Sequence, residues 1–241
     1  MRFYLLESGS KGNCFLLEAE DTAIAIDCGG AAGYLKGAFS SVGFKPEQLD
    51  ALLLTHSHSD HIARLKMFKK NRIFAPFGLE DYDCTPVTPY HLFEIGALRI
   101  APIPLSHDVL TCGYLILYQN QKLVYVTDTG YFRDNDLELI KNADYYIFES
   151  NHDPEMLMRT DRPFLLKQRI LSDRGHLSNQ DSAAILSKVV GENTKQVVLA
   201  HLSEEANTPE LAYASAREKL PAEIEILLGK QYGIVTGGRK K

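Results

Sequence analysis

The sequence predicts an α+β fold in which two β-sheets each carry helices on an outer face. Three observations predict it. Short apolar runs, separated by turns rich in Gly, Ser, Asn and Asp, are typical of strands. Segments with helical spacing follow such runs in both halves of the 241 residues, so each half can supply one sheet and its helices. No repeat, low-complexity segment or linker divides the chain, so we expect a single domain over residues 1–236 and a disordered tail at 237–241.

The first half begins with three runs that predict strands: RFYLL, CFLLEA and TAIAID. Residues 28–43 are Ala-rich with Gly at both ends, which predicts a helix. DALLLT predicts a fully apolar strand and RIFAP another. Between them, Ile62, Leu65 and Phe68 recur at helical spacing and predict a helix over residues 60–71. Residues 80–92 are polar and proline-rich, which indicates a surface connection.

The second half repeats the order of strands and helices. Strands are predicted in LRIAPIPLSH, GYLILYQ, KLVYVTD, DYYIFES, KQVVLAH and finally EIEILL. NDLELIKNA and residues 154–172 predict helices, the latter entered at Pro154 and again near Pro163. Ser178 with Asp181 forms a capping box for a further helix that ends at Gly191. Thr208 followed by Pro209 marks the start of the last helix.

Composition excludes several classes of protein. The charged fraction of 24% is ordinary, and the net charge of −5 disfavours a chain coated with nucleic acid. No apolar run is long enough to span a membrane, and the N-terminus does not have the pattern of a signal peptide. The four cysteines form no CxxC pair. We therefore expect reduced thiols and a cytoplasmic protein.

Four potential metal ligands crowd six positions directly after the DALLLT strand: His56, His58, Asp60 and His61. Alternation places His56 and His58 on the same side of an extended segment. Asp60 and His61 fall where the chain turns into a helix, so they can point to a second position. Imidazole and carboxylate together suit zinc, manganese or iron, so this loop can serve two divalent ions.

Further candidates end three later apolar runs: His107, Asp128 and His201. A strand end holds a ligand rigidly, which is why sites collect there. We expect one ion to bind His56, His58 and His107, and the other to bind Asp60, His61 and His201. Asp128, with two oxygens, would bridge both ions.

The strings THSHSDH, LSH, VTDTG and LAHLS, in this order, resemble the motifs of the metallo-β-lactamase fold over nearly the whole chain. The resemblance implies an αββα four-layer sandwich of two mixed sheets flanked by helices, with the metals at one edge. It also implies that Asp27, in AIDCG, is a carboxylate that supports the metal ligands. An oxygen-reducing di-iron variant of the fold has Glu where this chain has His58, so hydrolysis is favoured over redox chemistry.

Two stretches narrow the resemblance further. Glu149 ends a strand and His176 precedes a helix in GHLS, as in the phosphodiesterase branch that includes tRNA-processing nucleases of the ribonuclease Z type. ESGSKGNCFLLE, DCGG, ESNHD and GHLSNQDSA together resemble the WalJ/YycJ group. That resemblance implies a metal-dependent exonuclease or phosphodiesterase with DNA as substrate. Asp60, Glu149 and His176 would be catalytic, and a hydroxide activated by the two metals would attack phosphorus.

Substrate contacts are predicted at Ser10, Lys11 and Asn13 in the SGSKGN loop, because its backbone N–H groups and lysine can receive a phosphate. His176 and Ser178 are candidates in the second stretch. The basic segment 159–174 either contacts a nucleic-acid backbone or is a solvated helix face. His152 either touches substrate or is an incidental polar residue.

Two alternatives stay open. The first is a hydrolase of a small metabolite, either a cyclic phosphodiester or a thioester, since this fold supports several hydrolytic reactions. The second is a non-catalytic, metal-bound module that binds a partner. The sequence does not distinguish among the metals or determine the oligomeric state.

Overall fold

Two seven-stranded β-sheets form the framework of the computed structural model, which describes residues 1–238. The strands of the first sheet are β1 (Arg2–Glu7), β2 (Cys14–Ala19), β3 (Thr22–Ile26), β4 (Ala51–Leu53), β5 (Arg72–Ala75), β6 (Cys84–Pro86) and β14 (Val235–Gly238). Their order is β14-β1-β2-β3-β4-β5-β6. Pairing is antiparallel from β14 to β3 and parallel from β3 to β6, so the sheet is mixed.

The second sheet comes from the later part of the chain. Its strands are β7 (Phe93–Ile95), β8 (Leu98–Leu105), β9 (Thr111–Tyr118), β10 (Gln121–Val126), β11 (Tyr145–Glu149), β12 (Gln196–Ala200) and β13 (Glu225–Leu228). They lie in the order β13-β12-β11-β10-β9-β8-β7. Strands β7 to β10 are antiparallel and β10 to β13 parallel. The parallel strands therefore end at one common edge.

The helices are α1 (Ala32–Ser41), α2 (Ser59–Ile62), α3 (Asp134–Ile140), α4 (Pro154–Arg159), α5 (Phe164–Ile170), α6 (Asn179–Val189) and α7 (Pro209–Lys219). Two predicted N-caps are confirmed: the Ser178 hydroxyl accepts from the N–H of Asp181, and that of Thr208 from the N–H of Leu211. Helix α6 ends at Val189 with Val190 as its cap, one residue before the predicted Gly191.

The main core lies between the sheets. Aromatic side chains from both sheets meet there, with ring centroids 5.2 Å apart for Phe15 and Tyr125 and 5.5 Å apart for Phe3 and Tyr145. Alternate residues of the strands point the other way and pack under helices, as the cluster of Leu16 with Phe39 of α1 shows. A third cluster packs α3, α6 and α7 on the second sheet. The predicted α+β sandwich of two mixed sheets flanked by helices is confirmed.

The predicted helix over residues 60–71 is wrong. Helix α2 stops at Ile62, and a short 3-10 helix covers Leu65–Phe68. The loop after β3 competes for the backbone groups of this segment. The N–H of Cys28 donates to the carbonyl of His61 at 2.6 Å, and the carbonyl of Cys28 accepts from the N–H of Arg64 at 2.9 Å. The His61 carbonyl is therefore engaged outside the helix.

Two other expectations need correction. Residues 80–92 are not only a surface connection, because they contain β6, which pairs with β5. Gly237 and Gly238 belong to β14 rather than to a disordered tail, since the Gly238 N–H donates to Gln196 Oε1 at 2.7 Å. The rest of the predicted tail, 239–241, lies outside the described residues. The single domain over 1–236 stays a prediction. Within residues 1–238, no helix has the length and apolar character needed to cross a membrane.

Candidate metal centre

The predicted ligands lie at one edge of the two sheets, where several strands end. His56 follows β4, His107 follows β8, Asp128 follows β10 and His201 follows β12. His58 is the N-cap residue of α2, and Asp60 and His61 are within that short helix. Both sheets therefore contribute to the site, which explains why its residues are so far apart in the chain.

The seven side chains come together in the groups that the sequence predicted. Potential ligand atoms of His56, His58 and His107 lie within 4.8 Å of one another, and so do those of Asp60, His61 and His201. Asp128 stands between the groups. Its Oδ2 is 3.3 Å from His61 Nε2, and it also forms a cluster with His56 and His61. Asp128 thus contacts residues of both groups.

The residues present fit divalent metal ions. Within residues 1–238, three buried atoms of the predicted ligands have no hydrogen-bond partner: His56 Nε2, Asp128 Oδ2 and His201 Nε2. Leaving a polar atom buried and unpaired is costly, and native proteins rarely do so without a bound ion or water. Imidazole nitrogens and carboxylate oxygens are the ordinary ligands of such ions. The unpaired atoms are therefore explained if the centre binds divalent cations.

Asp27 holds His61 from behind. Its carboxylate lies 2.8 Å from His61 Nδ1 and accepts hydrogen bonds from the N–H and hydroxyl of Thr55. Burial opposes a charge on His61, but the carboxylates of Asp128 and Asp27 outweigh it and raise the pKa of the imidazole to about 10. Because Nδ1 is occupied by Asp27, Nε2 is the nitrogen that faces Asp60 and Asp128.

Glu149 links the metal centre to His176. Its Oε1 lies 2.8 Å from His176 Nδ1 and 2.9 Å from His201 Nδ1, and its Oε2 accepts from the N–H groups of Thr129 and Leu177. Burial raises the pKa of the Glu149 carboxyl, but its charge interaction and hydrogen bond with His176 and the hydrogen bond of His201 lower it to about 2. Glu149 is therefore a buried anion that orients two imidazoles at once.

His176 lies in the loop between α5 and α6, beside both ligand groups. Its ring centroid is 5.1 Å from that of His107 and 5.3 Å from that of His201. A cleft of about 450 Å³ opens here. It is lined by Ser10, His58, Asp60, His107, Asp128, Asn151, Arg162, Leu166, Arg169, Ile170, His176, His201 and Glu205. A substrate in this cleft would touch His176 and the metal-facing residues together.

The predicted substrate contacts divide into two groups. Among the described residues, Ser10 and His176 line the cleft, whereas Lys11, Asn13 and Ser178 do not. Lys11 is exposed and forms an ion pair with Glu204 at 2.5 Å. Asn13 is buried and instead contacts the metal-facing nitrogen of His61, with its Nδ2 3.0 Å from His61 Nε2. The Ser178 hydroxyl is used up by the backbone and carboxylate of Asp181 in the helix cap.

Sequence reasoning missed Asp108 and Asn151. Asp108 Oδ1 lies 3.2 Å from His58 Nε2 and 3.3 Å from His107 Nε2, and its other oxygen is 2.5 Å from Arg169 Nη1. Asn151 lines the cleft and donates to the carbonyl of His201 at 2.8 Å. The sequence contained a signal for each residue. Asp108 directly follows the candidate His107 in SHD, and Asn151 comes two residues after the candidate Glu149 in ESN.

Histidine and aspartate clusters at the edge of a two-sheet sandwich, open to a polar cleft, define a hydrolase-type metal centre. Residues 22–202 match the family described as the beta-lactamase superfamily domain. This match covers most of the chain, and the protein belongs to that superfamily.

Full-length relatives agree with this assignment. The chain is 34% identical over 250 residues to the protein named exodeoxyribonuclease WalJ of Streptococcus pneumoniae serotype 2, covering 97% of this chain and 93% of that protein. It is 31% identical to exodeoxyribonuclease YycJ of Bacillus anthracis, covering 91% and 89%. The metallo-beta-lactamase fold protein YhfI from Bacillus subtilis superposes with a TM-score of 0.76 at 20% identity, covering 98% of both chains. The resemblance to the WalJ/YycJ group is confirmed.

Proposed function

We propose that this protein is a metal-dependent phosphodiesterase that acts as an exonuclease on DNA in the cytoplasm. The observation that carries the proposal is the Glu149–His176 pair, held 2.8 Å apart beside two histidine–aspartate clusters. A general acid or phosphate-binding imidazole next to a metal centre suits phosphodiester hydrolysis. The WalJ and YycJ relatives, both named as exodeoxyribonucleases, support the choice of DNA.

Two divalent ions, of zinc, manganese or iron, are the proposed cofactors. His56, His58 and His107 would hold one, and Asp60, His61 and His201 the other, with Asp128 shared between them. Ions bound there would supply Lewis acidity toward a phosphate oxygen and lower the pKa of water toward neutrality.

His176 is the proposed proton-carrying residue. Its Nδ1 is held by the Glu149 carboxylate, so Nε2 is the ring nitrogen that can serve a substrate in the cleft. From there it can donate a hydrogen bond to a phosphate oxygen or a proton to the leaving oxygen. Glu149 positions His176 by holding its Nδ1 at 2.8 Å. The same carboxylate also orients His201, which couples the acid to the metal centre.

Asp60 has a second proposed role besides metal binding. It lines the cleft; burial raises the pKa of its carboxyl, but the neighbouring imidazoles of His201 and His61 outweigh burial and lower it. Asp60 therefore stays ionised and can accept a hydrogen bond from an attacking water, which fixes the direction of attack.

The test is the substitution His176→Ala, with the exposed His91→Ala as the matched control. We expect hydrolysis of bis-p-nitrophenyl phosphate and of labelled DNA to fall about 100-fold in H176A, the effect of losing general acid catalysis. Metal content per chain should stay unchanged, and H91A should behave as the wild type. Undiminished phosphodiester turnover in H176A would refute the role of His176.

Two further measurements separate the alternatives. Thioester hydrolysis without phosphodiester hydrolysis would favour the small-metabolite enzyme. Asp128→Ala should abolish turnover in an enzyme, because it removes the carboxylate shared by the two ligand groups. A partner-binding module would instead show no turnover in the wild type either.

A further inference from the structure

Helices α4 and α5, with the turn between them, form a wall of the cleft. Arg162 of the turn and Leu166, Arg169 and Ile170 of α5 line the same cavity as His176 and the predicted metal ligands. Leu166 and Ile170 also pack with Leu157 of α4 and Ala206, so the inner face of the wall is anchored. A ligand bound in this cleft would therefore lie against α5.

The wall is preformed. Lys167 is buried, and its Nζ donates to the carbonyls of Met158 at 2.8 Å and Thr160 at 2.7 Å. These bonds tie the start of α5 to the end of α4. The Lys167 ammonium group therefore binds backbone carbonyls inside the protein. It is not available to a nucleic-acid backbone, although Lys167 belongs to the basic segment 159–174. The charges of this segment that remain at the cleft are those of Arg162 and Arg169.

Several apolar side chains of the wall face solvent. Phe164 is 61% exposed and Leu165 is 78% exposed, and the neighbouring Met158 and Leu171 are also exposed. These residues lie in one stretch of fourteen, next to the two cleft-lining arginines. An exposed apolar patch beside a binding cleft is typical of an interaction site.

Each of the two arginines forms an ion pair with a carboxylate that a phosphate could replace. Arg162 pairs with Glu205 at 2.8 Å and Arg169 with Asp108 at 2.5 Å, in pairs that are partly exposed. Exposed ion pairs contribute little stability, so a phosphate can replace either carboxylate at small cost. Guanidinium groups bind phosphate oxygens in bidentate fashion. The cleft therefore presents two phosphate-binding groups, and exposed apolar side chains are their neighbours in the chain.

We propose that this wall, residues 154–171, binds an unpaired end of a nucleic-acid strand. Arg162 and Arg169 contact successive backbone phosphates, and Phe164 with Leu165 stacks against a base. A cleft of about 450 Å³ has the volume of a small-molecule site, which suits the end of one strand better than a length of duplex. The proposal rests on the proposed nuclease function and specifies its substrate as a single-stranded or frayed terminus.

The test measures binding rather than turnover. A fluorescein-labelled single-stranded oligonucleotide is titrated by anisotropy with the wild type and with the double variant F164A/L165A. We expect the Kd to rise about tenfold, the usual effect of removing a base-stacking side chain. The same strand with abasic sites at its unlabelled terminus should bind the wild type about tenfold more weakly, and the double variant should no longer distinguish the two strands. Leu139→Ala, an exposed apolar residue of α3, is the matched control and should bind as the wild type does.

A second variant isolates the arginines. R162Q/R169Q should weaken binding of the intact and the abasic strand by the same factor, and it should reduce the slope of log Kd against log salt by about one to two. Equal affinities of wild type and F164A/L165A for the intact strand would overturn the proposal. Preference of the wild type for blunt duplex over single strand would also overturn it. Absence of phosphodiester cleavage by the wild type would instead refute the proposed function, and the anisotropy result would still decide the role of the wall.

Discussion

Three residues of the metal centre have a left-handed backbone: Asp27 (φ 61°), Asp128 (φ 60°) and His201 (φ 56°). Asp27 directly follows β3 and His201 directly follows β12. Asp128 is separated from β10 only by Thr127. Residues other than glycine rarely adopt this conformation, although Asp and His tolerate it better than most. Such backbone strain is characteristic of functional sites, where the surrounding structure enforces it. Here the strand ends impose it while the side chains meet at the sheet edge.

Asp27→Asn tests whether a carboxylate must support His61. We expect zinc affinity to fall 10- to 100-fold, roughly the effect of removing the hydrogen-bond partner of a ligating histidine. The Asp27 carboxylate faces His61 Nδ1 at 2.8 Å. The amide of an asparagine can still hydrogen-bond to this nitrogen, but it carries no negative charge. Affinity is measured by competition with a chelating dye. Asp21→Asn, at an exposed turn, is the control, and equal affinities of the two variants would contradict the role of Asp27.

Because of the buried His152, we expect the folded protein to lose stability in acid. It is buried, and neither ring nitrogen has a hydrogen-bond partner among the described residues. Burial lowers its pKa from 6.5 to about 4, against the opposing charge of Glu149. The unfolded state therefore binds the proton first. This contribution to stability is complete above pH 6.5 and is lost as the pH falls toward 4, by about 3 kcal/mol over the interval.

The measurement is urea unfolding at pH 7, 6, 5 and 4.5 in the presence of a chelator. The difference in unfolding free energy between the wild type and His152→Gln should shrink as the pH falls, because the variant lacks this titration. A difference that stays constant would show that His152 does not resist protonation in the folded state.

At the scale of elements, the turn after β3 packs directly against the metal-binding loop. A Cβ on Gly29 would lie 1.5 Å from the carbonyl oxygen of Asp60, and a Cβ on Gly30 would lie 1.5 Å from Glu7 Oε2. Only glycine permits this approach. The close contact brings the turn against α2, next to the Cys28 backbone bonds that end the predicted helix early.

Gly29→Ala should therefore disturb both stability and metal binding. We expect a loss of about 1–3 kcal/mol in unfolding free energy, as for other overpacked sites, together with weaker zinc binding. Gly37→Ala is the matched control, since a Cβ there meets nothing within 4 Å inside α1. That variant should gain about 0.5–1 kcal/mol, because alanine is the better helix former. A tolerated Gly29→Ala would show that the loop can move away without cost.

Helix and strand boundaries were predicted correctly where residues close in the sequence determine them. They were predicted wrongly where contacts with distant segments determine them. The caps at Ser178 and Thr208 depend on residues three positions apart and were correct. The helix over 60–71 failed, because its backbone bonds to a turn more than thirty residues earlier in the chain. Strand β14 was missed because it is short and glycine-rich, and only pairing with β1 makes it a strand.

At the scale of the whole molecule, the metal centre joins the two sheets. Asp27 and the HSHSDH loop follow strands of the first sheet, whereas His107, Asp128, Glu149 and His201 belong to the second. Ions bound between these groups would cross-link the sheets at one edge. Since the unfolded chain does not bring these groups together, metal binding should stabilise the folded state.

Removal of metal should lower the melting temperature. With free zinc at 1,000 times its Kd, linkage contributes about 4 kcal/mol, and for a chain of this size each kcal/mol is worth about 2–4 °C. Thermal unfolding in excess zinc and in EDTA should therefore differ by roughly 8–16 °C. Asp128→Ala should show a smaller difference. Equal melting temperatures of the wild type in zinc and EDTA would exclude a stabilising metal centre.

The sequence by itself determined the fold class and the strand-end positions of the candidate ligands. It could do so because alternating apolar runs and dense histidine–aspartate spacing are local patterns with few alternative readings. Only the tertiary structure decided that Asn13 contacts His61, that Asp108 faces two histidines, and that α5 lines the cleft. These contacts join residues distant in the chain, and packing of the two sheets, rather than any local pattern, sets their distances.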